Sequence, residues 1–160
     1  GHAAVGNLNL LENSLITDPK KRFQMKMGFI DFSELNEYTN EIIEKFNVKT
    51  TGVSALASSL SGGNLQKFVV GREIGQKPSL FIVNQPTWGV DALSAANIRQ
   101  AIVEIANNGA AIILISQDLD EILEISNKVA FLTNGNLSIP TNTMDIKTDE
   151  IGAIMGGIGD

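Results

Sequence analysis

An α/β fold built on a parallel sheet is predicted by three observations. Residues 80–83 (LFIV) and 111–115 (AIILI) are short, continuous apolar runs, the pattern of strands buried on both faces of a parallel sheet. Between them, residues 92–106 carry Ile98, Ile102 and Ile105 at helical spacing, closed by Asn107-Asn108-Gly109. Strand, helix and strand in that order make a crossover unit, which joins parallel strands.

The remaining elements follow from the same rules. Residues 8–16 read as a helix that ends at Asp18-Pro19, because the residue before proline is pushed out of helical geometry. Lys20, Lys21 and Arg22 follow as a short charge run, read as solvated surface. From Ser33 to Phe46, the apolar residues Leu35, Tyr38, Ile42, Ile43 and Phe46 recur at helical spacing opposite acids and Asn. Residues 50–61 are small, hydroxylated or glycine, and lead through Gly62-Gly63 into a helix read over 65–75. Pro78 separates that helix from the first strand. Asp118 with Glu121 resembles a capping box opening a helix to Ile125, with Asp120, Glu121 and Glu124 reading as a solvent-facing group and not a metal site. Asn134-Gly135 between apolar residues is a type I′ hairpin turn. Residues 148–155 look helical, and there are no internal repeats or low-complexity segments.

Composition narrows the possibilities. A chain of 160 residues with 43% hydrophobic content buries a core of its own. A net charge of −6 lacks the basic footprint that nucleic acid requires, and the absence of cysteine excludes disulfides and thiolate metal sites. The apolar runs are too short to cross a bilayer. Gly1-His2 reads as a cloning remnant, so the single histidine is set aside.

Chemistry concentrates in residues 60–67, Leu-Ser-Gly-Gly-Asn-Leu-Gln-Lys. Serine and paired glycines at a helix start leave backbone N–H groups open and let an anion approach closely, while the helix dipole favours negative charge. A helix cap with flexible glycines accounts for Ser-Gly-Gly equally well. Gly71 to Lys77 is not a phosphate-binding P-loop: only three residues separate its glycines, and Pro78 stands where Ser or Thr is needed.

Residues 60–67 as a whole resemble the signature motif of ABC ATPases, in the Asn64-containing form of importers for simple sugars and nucleosides. Residues 80–91, LFIVNQPTWGVD, resemble the Walker B strand followed by the D-loop that ends at Asp91, and residues 115–121 resemble the switch region. The 150–156 tail is similar to the end of the same importer ATPases, and the form of residues 86–91 resembles the second of the two ABC domains those polypeptides fuse. The resemblance implies a partial P-loop NTPase fold, with a helical subdomain bearing the signature over 3–76 and the Walker B, D-loop and switch half over 77–157. The strand and loop of the P-loop are expected upstream of residue 1, and the family's Q-loop glutamine is not found.

Three positions depart from that pattern. The Walker B aspartate falls at Asn84, the general-base glutamate at Gln85 and the switch histidine at Gln117. An amide cannot take the attacking water's proton, a loss worth roughly 10²–10⁴-fold in rate, and Asn84 lacks the charge a hard cation prefers. The resemblance therefore implies that Ser61, Gly62, Gly63 and Asn64 contact ATP held by the other ABC domain, while the site at Asn84, Gln85 and Gln117 is degenerate. It implies ATP and Mg²⁺ for the full-length protein and none for this chain alone. Implied partners are the first ABC domain of the same polypeptide, transmembrane permease subunits and, indirectly, a periplasmic solute-binding protein, at the cytoplasmic face of the inner membrane. A DNA-repair or chromosome-type ABC ATPase is the alternative, although the long heptads of such proteins are absent; a catalytically inactive regulatory module is a third. Trp88 is expected at a domain interface. Without a P-loop strand beside 80–83, that strand's edge is expected to be open, and the chain to dimerise or exchange strands through 80–83 or 111–115.

Overall fold

The computed structural model describes residues 3–18, 22–24 and 28–146. The 148–155 helix expectation, His2, Lys20 and Lys21 lie outside them. The chain divides into two compact units, residues 1–113 and 114–160.

The first unit is helical, with one strand and part of a second. Helix α1 (Leu10–Ile16) opens with a capping box missed in the sequence: the Asn9 side chain accepts from Glu12 N–H while the Glu12 carboxylate accepts from Asn9 N–H. Residues 6–11 are laced to 53–58 by backbone bonds, including Leu10 N–H to Ala55 O at 3.0 Å and Ala57 N–H to Leu8 O at 3.0 Å. The small-residue segment before Ser61 is thereby anchored at both ends. Helix α2 (Phe32–Lys45) starts at Asp31, whose carboxylate accepts from Ser33 and Glu34 N–H. Its predicted stripe is the core: Leu35, Tyr38, Ile42 and Phe46 are all 5% exposed or less.

Helix α3 (Gly62–Gly75) packs against α2 on one side and α4 (Ala92–Asn107) on the other. The approach to α2 is close because Gly71 and Gly75 have no side chains. A Cβ on Gly71 would lie 2.4 Å from the Phe46 ring, and one on Gly75 would lie 2.7 Å from the Tyr38 hydroxyl. The glycines dismissed as a P-loop thus serve helix packing. Arg72, 1% exposed, anchors the N-terminal segment through bonds to Ala3 O (2.7 Å) and Asn13 O (3.2 Å), and pairs with Glu73 at 2.7 Å. Arg22 is exposed, as the charge run predicts, and it also pairs with Glu34 at 3.0 Å, with its guanidinium 4.7 Å from the Tyr38 ring centroid.

Strands β1 (Leu80–Asn84) and β2 (Ala111–Ile115), joined by α4, neighbour each other in a two-stranded parallel sheet. Burial on both faces does not hold. Phe81 and Val83 are 8% exposed, whereas Leu80 is 53% and Ile82 59% exposed. The alternation arises because no layer of described residues covers the second face.

In the second unit, α5 (Leu119–Ile125) is capped by Asp118, which accepts from Glu121 N–H at 3.1 Å. The reciprocal half of the predicted box is absent, and Glu121 does not face solvent: it is 1% exposed and neither carboxylate oxygen has a hydrogen-bond partner. Strands β3 (Lys128–Val129) and β6 (Thr141–Asn142) pair antiparallel, as do β4 (Leu132–Thr133) and β5 (Asn136–Leu137). Asn134 and Gly135 connect β4 and β5 with φ of 50° and 80°, the type I′ geometry their sequence predicts.

Candidate functional site

The N-terminus of α3 is built by Ser61. Its extended backbone (φ −62°, ψ 156°) makes it the N-cap, so the helix begins at Gly62, three residues earlier than the apolar pattern alone indicates. Ser61 Oγ accepts from the Asn64 side-chain amide at 2.9 Å and from Asn64 N–H at 3.4 Å. Both contacts use oxygen lone pairs, which leaves the hydroxyl proton to be donated outward. Asn64 is fixed in turn, because its Oδ1 accepts from Lys49 N–H at 2.8 Å. No described group takes the Gly62 and Gly63 N–H, and nothing lies within 4 Å of a Cβ built on Gly62. The result is a first helical turn with unpaired N–H groups at Gly62 and Gly63 and open space beside Gly62, features that suit an anion.

Its other side is closed by the segment that follows β1. A Cβ on Gly63 would stand 2.4 Å from the Gly89 carbonyl oxygen, so only glycine admits this contact. Gly89 itself has φ of +74°. Gln66 Nε2 donates to Gln85 O at 3.2 Å and Pro86 O at 3.3 Å. Lys67, 3% exposed, donates to Asp91 Oδ2 at 2.8 Å and Asn47 O at 3.3 Å. That ammonium, with Ser94 N–H and the Ser94 hydroxyl on the same carboxylate, holds the Asp91 carboxyl far below the usual carboxylate range. Asp91 is also the N-cap of α4.

The structure therefore brings Ser61, Gly62, Gly63 and Asn64 into one turn and ties that turn to the segment from Gln85 to Asp91. Asn84 ends β1 in an exposed position, and Gln85 follows with φ of +50°, a left-handed conformation unusual for a residue with a side chain. Both offer amides where a divalent cation prefers carboxylates, and among the described residues no group of three or more His, Cys, Asp and Glu stands ready for a metal. This donor set does not fit Mg²⁺. Gln117 is exposed between β2 and α5, in the second unit. Trp88 is 79% exposed on the turn after β1.

Sequence reading gave no role to Gln66, Lys67 or Gly89. The signal was present for Lys67: Gly63, Lys67, Val70, Gly71 and Ile74 form one helical stripe, and a lysine within it must find a buried partner.

By its fold, the chain is part of an ABC ATPase cassette. The fold matches the ATP-binding cassette MJ0796, solved as a dimer in a post-hydrolysis state bound to ADP and Pi, with a TM-score of 0.73 at 20% identity, covering 88% of this chain and 59% of that one. An ATP-binding subunit of an ABC transporter matches with a TM-score of 0.70 at 19% identity, over 98% of this chain and 60% of that one. No family model matches the chain.

More particularly, the chain is related to the ATP-binding proteins of sugar and nucleoside importers. It is 35% identical to the nucleoside import ATP-binding protein NupA of Lactococcus lactis over 94% of this chain and 30% of that protein. It is likewise 35% identical to the glucose import ATP-binding protein TsgD13 of Haloferax volcanii over 99% of this chain and 29% of that one. The galactose/methyl galactoside import ATP-binding protein MglA of Escherichia coli is 34% identical over 87% and 27% respectively. The chain thus spans about 30% of the length of these relatives.

Proposed function

We propose that this chain supplies the signature half of an ATP site in the nucleotide-binding subunit of an ABC importer for a simple sugar or nucleoside. The observation that carries the proposal is the first turn of α3: the Ser61 hydroxyl proton and the Gly62 and Gly63 N–H groups, with no described partner, and open space beside Gly62. Fixed donors of this kind suit a γ-phosphate, and they stabilise the charge that builds on it during transfer without needing to reorganise. The relatives' names supply the transport reading, and their greater length supplies the room for a partner ABC domain carrying the P-loop.

In this reading ATP and Mg²⁺ belong to the full-length polypeptide, and residues 3–76 and 77–157 are the helical and core portions of one ABC domain. The partners are the first ABC domain of the same polypeptide, membrane permease subunits and, through them, a periplasmic solute-binding protein. The subunit lies at the cytoplasmic face of the membrane; among the described residues no helix is long and apolar enough to cross one. Asn84 and Gln85 mark a second, degenerate site that hydrolyses poorly. The test is Ser61→Arg in the full-length protein, which should abolish ATP turnover by filling the space beside Gly62. Wild-type turnover in that variant refutes the assignment.

A further inference from the structure

Three separate contacts lock the first turns of α3 onto the segment after β1. They are the Gly63–Gly89 backbone approach, the Lys67–Asp91 ion pair at 2.8 Å, and the fork that Gln66 Nε2 makes to Gln85 O and Pro86 O. The first two are static packing and charge. The third bears on a strained peptide. Gln85 holds φ of +50°, and its carbonyl also accepts from Trp88 N–H at 3.2 Å, closing the turn. A left-handed glutamine persists only where its surroundings impose that conformation. Pro86 adds a fixed φ and is almost wholly buried, so one amide group grips two successive carbonyls of a stiff turn.

We infer that Gln66 is a positioning residue that makes the Gln85–Pro86 turn and the open donors of Gly62 and Gly63 move as one body. Gln66 lies four residues after Gly62 on the same helix, directly over the turn that carries the free N–H groups. A shift of the Gln85 peptide therefore tilts the donors, and a phosphate held by the donors restrains the peptide. Resting on the functional reading above, this links the degenerate site at Asn84 and Gln85 to the site that hydrolyses. What happens to nucleotide at the first then regulates the second.

Two variants test the link. Gln66→Glu keeps the length of the side chain but sets a carboxylate against two carbonyls, and Gln66→Met removes the amide donor without adding charge. In the 160-residue chain, amide exchange at Trp88 and Val90 should accelerate about tenfold in both, while amides in the core of α4 keep their wild-type protection. In the full-length protein, kcat should fall about tenfold with KM for ATP unchanged within about twofold, the sign of misplacement and not of lost binding. Unchanged exchange at Trp88 overturns the inference. So does an unchanged kcat alongside a silent Ser61→Arg protein, an outcome that leaves the signature reading standing. Uniformly faster exchange across α4 overturns it as well, because Gln66 would then only stabilise the fold. If Ser61→Arg turns over normally, the signature reading fails instead, and the exchange measurement still decides whether Gln66 holds the turn.

Discussion

At residue scale, Gln85 joins a left-handed backbone to an amide side chain immediately after β1. Its φ is +50°, and its carbonyl accepts from both Gln66 Nε2 and Trp88 N–H. On the proposed reading, Gln85→Glu alone should leave steady-state turnover of the full-length protein within about twofold, since Asn84 still lacks the charge that a divalent cation prefers; a gain beyond tenfold would show that one carboxylate suffices. Tyr38 makes a different prediction. Burial pushes its hydroxyl from 10.0 up to about 12, partly offset by Arg22, and it donates to Arg72 O at 2.9 Å. The folded state holds this proton more tightly than the unfolded state, so the stabilisation is complete below pH 10 and is lost as pH rises towards 12. Denaturant midpoints of the chain should decline across that window, and the decline should be shallower in Tyr38→Phe. The sequence singled out Ser61, Gly62 and Gly63, which gather in the first turn of α3, because each is a residue type at a fixed spacing. It did not disclose the buried carboxylate of Glu121, whose burial depends on packing that a helical wheel does not contain.

Among the elements, α3 carries the most information per residue. Its glycines are packing devices, and Gly71→Ala should destabilise the chain by about 1–3 kcal/mol, because the added methyl meets Phe46 ring carbons at 2.4 Å and not the tip of a flexible chain. Thermal melting measures this directly, and an unshifted midpoint would mean α2 can withdraw without penalty. Strand and helix positions were legible from periodicity: 111–115 is reproduced residue for residue, and the α2 stripe is the observed core. Which strand faces are covered was not legible, since that depends on what lies above the sheet. Leu80, Ile82 and Ile113 remain about half exposed or more. An apolar, partly unpaired sheet surface of this kind promotes association, so light scattering should report the chain as larger than a monomer at high concentration. Ile82→Lys should restore the monomer; a monomeric wild type would refute the prediction.

For the molecule as a whole, the net charge of −6 and the absence of cysteine set the boundaries, and the distribution of buried polar groups fills them in. Among the described residues of the first unit, Arg72 and Lys67 are the buried cations, and both sit on α3: one binds the backbone at Ala3 and Asn13, the other secures Asp91. The signature helix is consequently the hub of the unit as well as the bearer of its open donors. Sequence reading found the loop without the hub, because long-range partners such as Ala3 and Asn13 for Arg72 carry no local pattern. On the proposed reading stability and binding geometry are coupled through α3, so substitutions at Arg72 should perturb both together.

Trp88 gives this arrangement an optical handle. It is the only tryptophan, it is 79% exposed, and its backbone N–H closes the Gln85 turn. Selective excitation therefore reports from one turn of the chain. Any partner that covers the turn should shift the emission to the blue and shield the indole from iodide, without a label being introduced.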